Sequence, residues 1–424
     1  MYYGWILLTA LSAIYFFSVG TIFYGFSVIV PEMIRDMGWS RSEASLGFSL
    51  FGMALGLSGP VAAYLIGLFN ARTVMSTGGL LAATGAFAAS YMNSLAYYYV
   101  LLCFIAFGLA LLSVVPGLQL LANWFARKRS LAIGIFMSMG GAGAFFAAPA
   151  ISALVQATGN WRHAWLVMAV AAFSGSVIAL IFVRDKPEDK GTVIDGGVPL
   201  TTSGAAATAA VLSPKVHQTA VSWEVRDAIR SSSFWIIVAA AAAVVLGHGI
   251  VNSQGVLHLR DLGISPVVAA SVIGMIGMLG AGGRLFTGFL GDHIDPRYLL
   301  ASGLTLELIG MLLLIFADTV VMAYVFAVIF GAGNGMAIVA SPALVANYFG
   351  NKNYGSLIGL RGVVITLSTA SGPFLAGLTF DMSGSYTPVF LAFAAIAMIP
   401  VIIVLFMRPP EPKDPKGVAR LAVA

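Results

Sequence analysis

Apolar stretches about 20 residues long, parted by short polar breaks, recur along the whole chain. A helix rises 1.5 Å per residue, so about 20 such residues match the ~30 Å hydrocarbon core of a bilayer. About twelve stretches can be counted, beginning near Gly4, Glu43, Ala71, Leu95, Ser130, Arg162, Ser233, Pro266, Pro296, Thr319, Tyr354 and Tyr386. Only 9% of the 424 residues are charged, where a soluble domain carries roughly 25%. The mean hydropathy is +0.94. Lipid offers no partner to a bare N–H or C=O, so each segment must satisfy its own backbone as a helix. The expected class is therefore all-α and integral to the membrane, with twelve transmembrane helices. The first stretch is too long for the apolar region of a signal peptide and reads as the first span. The single cysteine, Cys103, lies in an apolar run and permits no disulfide framework.

The basic balance, with a pI near 9.3, needs no nucleic acid. Basic residues of membrane proteins gather in cytoplasmic loops. With both termini cytoplasmic, sixteen Lys and Arg fall inside, against Arg35, Arg41, Arg162 and Arg260 outside. The expectation is a multi-pass protein of the plasma (inner) membrane with both termini cytoplasmic. Two of the 22 basic residues remain, Arg284 and Arg361, and both fall within spans.

The stretch from Arg184 to Arg230 breaks the pattern. "RDKPEDKGTVIDGGVPLTTSGAAATAAVLSPKVHQ" is polar, small and interrupted by Pro and Gly. It can neither span a bilayer nor bury a core. "SWEVRDAIR", Ser222 to Arg230, reads as a short amphipathic helix at the membrane surface. The expected organisation is a six-helix bundle over 1–184, a cytoplasmic linker over 185–230, a second six-helix bundle over 231–408 and a tail over 409–424. The halves also repeat. "LLANWFARKRSLAIG" from Leu120 matches "LVANYFGNKNYGSLIG" from Leu344, Pro149 and Pro373 follow at the same separation, and "RDMGWS" from Arg35 matches "RDLGIS" from Arg260. Two parallel repeats in one chain are the architecture of a transporter that rocks about a site near the midplane. A monomer is expected.

"GFLGDHIDPR", Gly288 to Arg297, resembles the G-x-x-x-D-(R/H)-x-(G/D)-x-(R/K) loop of the major facilitator superfamily. On that resemblance Gly288 would let two helices approach, while Asp292 and Arg297 would latch the inner side. The matching loop of the first half, "GLFNARTVM", lacks the acid and keeps Arg72. A closer resemblance is to the monocarboxylate porter and oxalate/formate antiporter branch. It rests on "YYGW" (Tyr2–Trp5), "MGWSRSEAS" (Met37–Ser45), "NWFARKRSLAIGIFMSMGGAG" (Asn123–Gly143), Arg284 in the eighth span and "GSYTPVF" (Gly384–Phe390). It implies a transporter of small carboxylates with Arg284 as a ligand. The oxalate/formate transporters also carry a cation in the eleventh span, which leaves Arg361 as either an inner gate or a substrate contact.

Elementary chemistry points the same way for Arg284. An arginine at a helix centre costs about 2.5–3.5 kcal/mol on insertion scales. Gly277, Gly280, Ala281, Thr287 and Gly288 share its face, so a helix or a cavity can come close. No acid lies on that face, and a guanidinium fits a carboxylate with two parallel hydrogen bonds. The other reading is a tie between helices. Further candidates to line a site are His248 and Asn252 in the seventh span, Asn334 in the tenth, Tyr24 in the first and Gln119 in the fourth. Phe145 and Phe146 suit a cavity wall or the core. Glu307 is expected on a peripheral helix, protonated or paired. Related proton symporters carry an Asp where this chain has Gly280. That leaves three options for coupling: a proton on His248, a proton carried by the substrate, or exchange against a counter-anion.

No metal-ligand cluster, nucleophile–base arrangement or phosphate loop appears, so no enzyme, metal or cofactor is expected. "GAGGRL" follows no strand and lacks a placed lysine. The first six spans hold no internal acid, which disfavours export of cationic drugs. A transporter of another anion or amphiphile, and a membrane receptor that does not transport, stand as alternatives.

Overall fold

The computed structural model describes residues 2–125, 128–194, 216–219, 223–291, 293–350 and 352–410. Twelve long helices carry the fold. They are α1 (Tyr3–Met37), α2 (Arg41–Leu68), α3 (Ala71–Ala89), α4 (Leu95–Trp124), α5 (Arg129–Thr158), α6 (Arg162–Phe182), α7 (Ser232–Asp261), α8 (Pro266–Leu290), α9 (Pro296–Ile315), α10 (Val320–Phe349), α11 (Tyr354–Ser383) and α12 (Thr387–Phe406). Eleven are long and apolar enough to cross a membrane; α3, rich in Gly, Ala and Thr, is the least apolar.

Local chemistry sets the starts. Ser40 and Glu43 form a reciprocal capping box that opens α2, satisfying two otherwise orphaned amides. Ser94, Asp295 and Thr319 cap α4, α9 and α10, and Pro266 and Pro296 stand at first-turn positions where no amide is missed. Two helices are irregular. In α4 the ladder breaks at Ser113, where Pro116 has no N–H for the Leu112 carbonyl. In α1, Val19–Phe23 forms a π-turn. Gly20 there lies against Gly143 of α5 so closely that an added Cβ would sit 2.6 Å from its Cα.

The helices form two six-helix bundles with matching internal contacts. In the first half α2 packs on α4, and α3 on α4 and α6; in the second α8 packs on α10, and α9 on α10 and α12. Across the halves α2 meets α11, α5 meets α8, and α1 meets α7. The segment between the halves is less helical than its sequence suggests. Among the described residues two short turns form, Pro187–Lys190 and Val225–Ala228; Ser222 lies outside the described residues. Trp223 anchors the latter turn to the second half through its amide on the Phe349 carbonyl, 3.1 Å.

The halves are tied together at the end remote from the termini. Arg41 of α2 reaches Asp261 of α7 through Nη1 at 2.5 Å and Nη2 at 2.8 Å, and donates to the Tyr386 hydroxyl at 2.8 Å. The amides of Arg41 and Ser42 donate to Asp381 of α11 at 3.1 and 2.9 Å. Arg260 pairs with Glu32 of α1 at 2.8 Å. Deeper, Gln254 donates to Ser45, and the Phe374 amide to Ser49 at 3.1 Å. Towards the termini these ties stop. From Tyr354 to Ser371, α11 buries only Leu357 among the described residues. The conformation is closed at the far end and parted at the end bearing the termini.

Candidate functional site

Arg284 sits at the boundary between the tied and parted regions. α8 is clamped by small residues on two sides. A Cβ on Gly277 would lie 2.8 Å from the Ala144 side chain of α5, and one on Gly283 would lie 2.5 Å from the Ala332 carbonyl of α10. Around Gly277 and Gly283 the helix thus meets other helices rather than open space. A helical side chain leans back towards the N-terminus of its helix. The guanidinium therefore lies beside Gly280, whose missing side chain leaves it room; a Cβ there would stand 4.0 Å from Nη2.

The guanidinium crosses between the halves. Nη1 donates to the Met137 carbonyl of α5 at 2.9 Å. Nε is buried and has no acceptor. No described carboxylate pairs with it; the five ion pairs of the described residues all lie elsewhere. Tyr15 and Tyr24 of α1 and His248 of α7 are its nearby polar neighbours.

The π-turn of α1 builds the opposite wall. It shifts the backbone register, and the Phe23 carbonyl accepts from Asn252 Nδ2 at 3.2 Å. Phe23 stacks on His248 at 6.0 Å between ring centres, with Tyr24 edge-on at 6.1 Å. His248 Nδ1 and Asn252 Oδ1 are buried without partners. Arg284, Tyr24, His248 and Asn252 are thus brought together from α8, α1 and α7, with three unpartnered polar atoms among them.

Other expected residues fall elsewhere. Asn334 donates to Glu307 at 2.7 Å, deep between α9 and α10. Glu307 is fully buried within the second bundle, with Asn334 as its partner. Gln119 is exposed beyond the break in α4. Phe146 faces outward and stacks near Phe16, 6.2 Å between centres, in an apolar groove between α1, α5 and α6. Arg361 donates through Nε to Ser341 of α10 at 3.2 Å. Gly288 faces open space, with nothing within 4 Å of an added Cβ, so no helix approaches there. Arg72 donates to the Leu180 carbonyl at 2.7 Å, and Arg297 to the Met407 carbonyl at 2.8 Å. Each arginine ties the start of one helix to the end of another inside its own half, since a helix C-terminus attracts cations. Asp292 lies outside the described residues.

The far-end network escapes a reading by residue type. Its members Arg260 and Asp261 lie in the repeated "RDLGIS", and Tyr386 in "GSYTPVF". Those motifs mark a repeat and a resemblance, while the contacts depend on how the halves dock.

The sequence pattern of the Major Facilitator Superfamily matches residues 11–301 and 256–422. The chain belongs to the Major Facilitator Superfamily. This is a family of transporters, not enzymes, and membership makes the protein a multi-pass membrane transporter of a small molecule. Among curated proteins it is similar to monocarboxylate transporter 13 of Bos taurus, 28% identical over 389 residues, covering 90% of this chain and 82% of that one. It is also similar to monocarboxylate transporter 4 of Gallus gallus, 26% identical, covering 93% and 82%, and to monocarboxylate transporter 7 of Homo sapiens, 26% identical, covering 94% and 85%. These relatives support a monocarboxylate-porter-like member. In fold it is similar to a bacterial homolog of the human lysosomal transporter Spinster, with a TM-score of 0.69, 16% identity, and coverage of 96% and 95%.

Proposed function

We propose that this protein carries a small monocarboxylate across the plasma membrane by alternating access, with Arg284 as the carboxylate anchor. The observation that carries the reading is the guanidinium itself. It stands between the halves with a buried, unsatisfied Nε, one bond to a neutral carbonyl and no described acid. A bare charge so placed is held for a visiting counter-charge. Tyr24, His248 and Asn252 supply a donor and unpaired polar atoms around that place, and Phe23 an apolar wall. Among the described residues Arg284 is the one cation brought together with Tyr24, His248 and Asn252, and so a mono- rather than a dicarboxylate is preferred; Arg361 donates to Ser341. The names of the curated relatives agree with this class. We further propose that the protein works as a monomer with cytoplasmic termini, its halves bounded at 1–184 and 231–408, so that the conformation described faces the cytoplasm.

The test is uptake of labelled C2–C6 carboxylates into proteoliposomes. Losing charge-assisted bonds worth about 3 kcal/mol in all should weaken substrate binding about 100-fold in Arg284→Ala. Arg284→Lys keeps the charge without the planar fork and should fall between. Wild-type uptake by folded Arg284→Ala protein would end the assignment.

A further inference from the structure

The largest cavity among those described lies outside the interface between the halves. It has about 710 Å³ and sits at the membrane boundary on the side of the termini, where the turn Val225–Ala228 meets the start of α7 and the end of α12. Arg230 and Arg408 line it, and neither has an ion pair among the described residues. Ser231 and Ser232, at the start of α7, also line it. The first turn of a 30-residue helix points unpaired amides and a partial positive charge outward there. Trp223 lines the same cavity at 7% exposure, and its Nε1–H is buried with no acceptor. Two cations and a helix N-terminus converge on one place, and all of them favour an anion.

The rest of the wall is apolar and faces lipid. Ile402 is 48% exposed, Ile403 42% and Phe406 79%. These side chains run from the basic mouth into the membrane along α12. A free anion has no use for such a wall, whereas an acyl chain does. Asp227 stands on the rim, where it can accept from a donor carried beyond the phosphate. The geometry points to a phospholipid site: headgroup phosphate on Arg230, Arg408 and the first turn of α7, a headgroup ammonium or hydroxyl on Asp227, and an acyl chain along Ile402, Ile403 and Phe406. This assignment does not depend on what Arg284 binds.

Thermal unfolding of the full-length protein in detergent tests it, with micelles doped with phosphatidylethanolamine, phosphatidylglycerol or phosphatidylcholine, or with inorganic phosphate added. The first two lipids should raise the melting temperature more than phosphatidylcholine, whose quaternary headgroup has no donor for Asp227. Inorganic phosphate should leave it unchanged. Near a membrane surface each arginine contributes a comparable increment, so Arg230→Gln with Arg408→Gln should weaken lipid binding roughly 30-fold. Asp227→Asn should remove the preference over phosphatidylcholine. Native mass spectrometry of the same variants should count fewer retained lipids, a readout independent of any loss of stability. The same lipid shift and count in the double variant, an equal shift from inorganic phosphate, or no shift from any lipid would overturn the site.

Discussion

Arg41→Gln should open the far end of the molecule. Arg41 makes two bonds to Asp261 and one to Tyr386, and its guanidinium lies 3.6 Å above the centre of the Phe380 ring. All these partners belong to the other half, so the variant loses interactions made only in the closed arrangement. Charge-assisted bonds are worth about 1.5–3 kcal/mol when buried, and exposed pairs about 0.2–1 kcal/mol. The side chain of Arg41 is 17% exposed and that of Asp261 38%, so the lower part of the range applies. With about 0.5–1 kcal/mol for the stacking over the ring, the total is about 2 kcal/mol. That shifts the balance roughly 30-fold towards a state open at this end. Ser49 provides the assay. It is 4% exposed and sits at the interface, bonded to the Phe374 amide. Ser49→Cys in a Cys103→Ser background should react with a water-soluble maleimide about 30-fold faster once Arg41 is replaced. High salt should accelerate labelling with Arg41 intact and have little effect without it, because screening weakens partly exposed pairs. Glu43→Ala is the control. It damages the capping box of α2 without touching the other half, and should lower stability while leaving labelling slow. An unchanged labelling rate in Arg41→Gln would show that this network does not hold the end shut.

Three further variants separate packing from chemistry. Asn334→Ala strands Glu307, whose Oε2 already lacks a partner, and should cost about 1–3 kcal/mol in thermal unfolding; Glu307→Gln keeps an acceptor for Asn334 and should cost less than half as much. His248→Gln keeps a side chain of similar reach beside Phe23 but changes the group at the unpartnered Nδ1, and should lower carboxylate uptake into proteoliposomes. Unchanged uptake would place His248 outside the site.

The fold was legible because the bilayer imposes length and the caps impose starts. The expected beginnings of the spans fall within two residues of those observed. Ser40 with Glu43, Ser94 and Pro266 are local signals that need no tertiary knowledge. Arg284 was legible as an anomaly, because a charge in a span demands a reason. Its partner was not. The Met137 carbonyl is anonymous in sequence, since every residue has one. The π-turn was hidden for a similar reason. It follows from the close approach of Gly20 to Gly143, a contact between distant segments. Asn334 and Glu307 were read separately because rotation between neighbouring helices is not written in either one. The latch expected around Gly288 concerns closure at the end that is parted here; in this conformation Arg72 and Arg297 tie helices within each half.

The bond from Arg284 to Met137 gives the proposed anchor a second consequence. It is the last hydrogen bond between the halves before they part, among the described residues. A carboxylate arriving at the guanidinium competes with that carbonyl, and a charged acceptor is roughly twice as strong as a neutral one. Binding would then exchange a tie between the halves for a tie to substrate, so occupancy and rocking draw on the same donor. Such coupling requires different affinities in the two conformations, and the competing carbonyl supplies the difference. Arg284→Gln tests this step apart from binding. Its amide can still donate to a carbonyl but offers no charge to an anion. With the Ser49→Cys reporter, the wild-type labelling rate should change when a transported monocarboxylate is added, and the Arg284→Gln rate should not. A substrate response that survives in Arg284→Gln would place the link between occupancy and movement elsewhere, even if Arg284 still binds the anion.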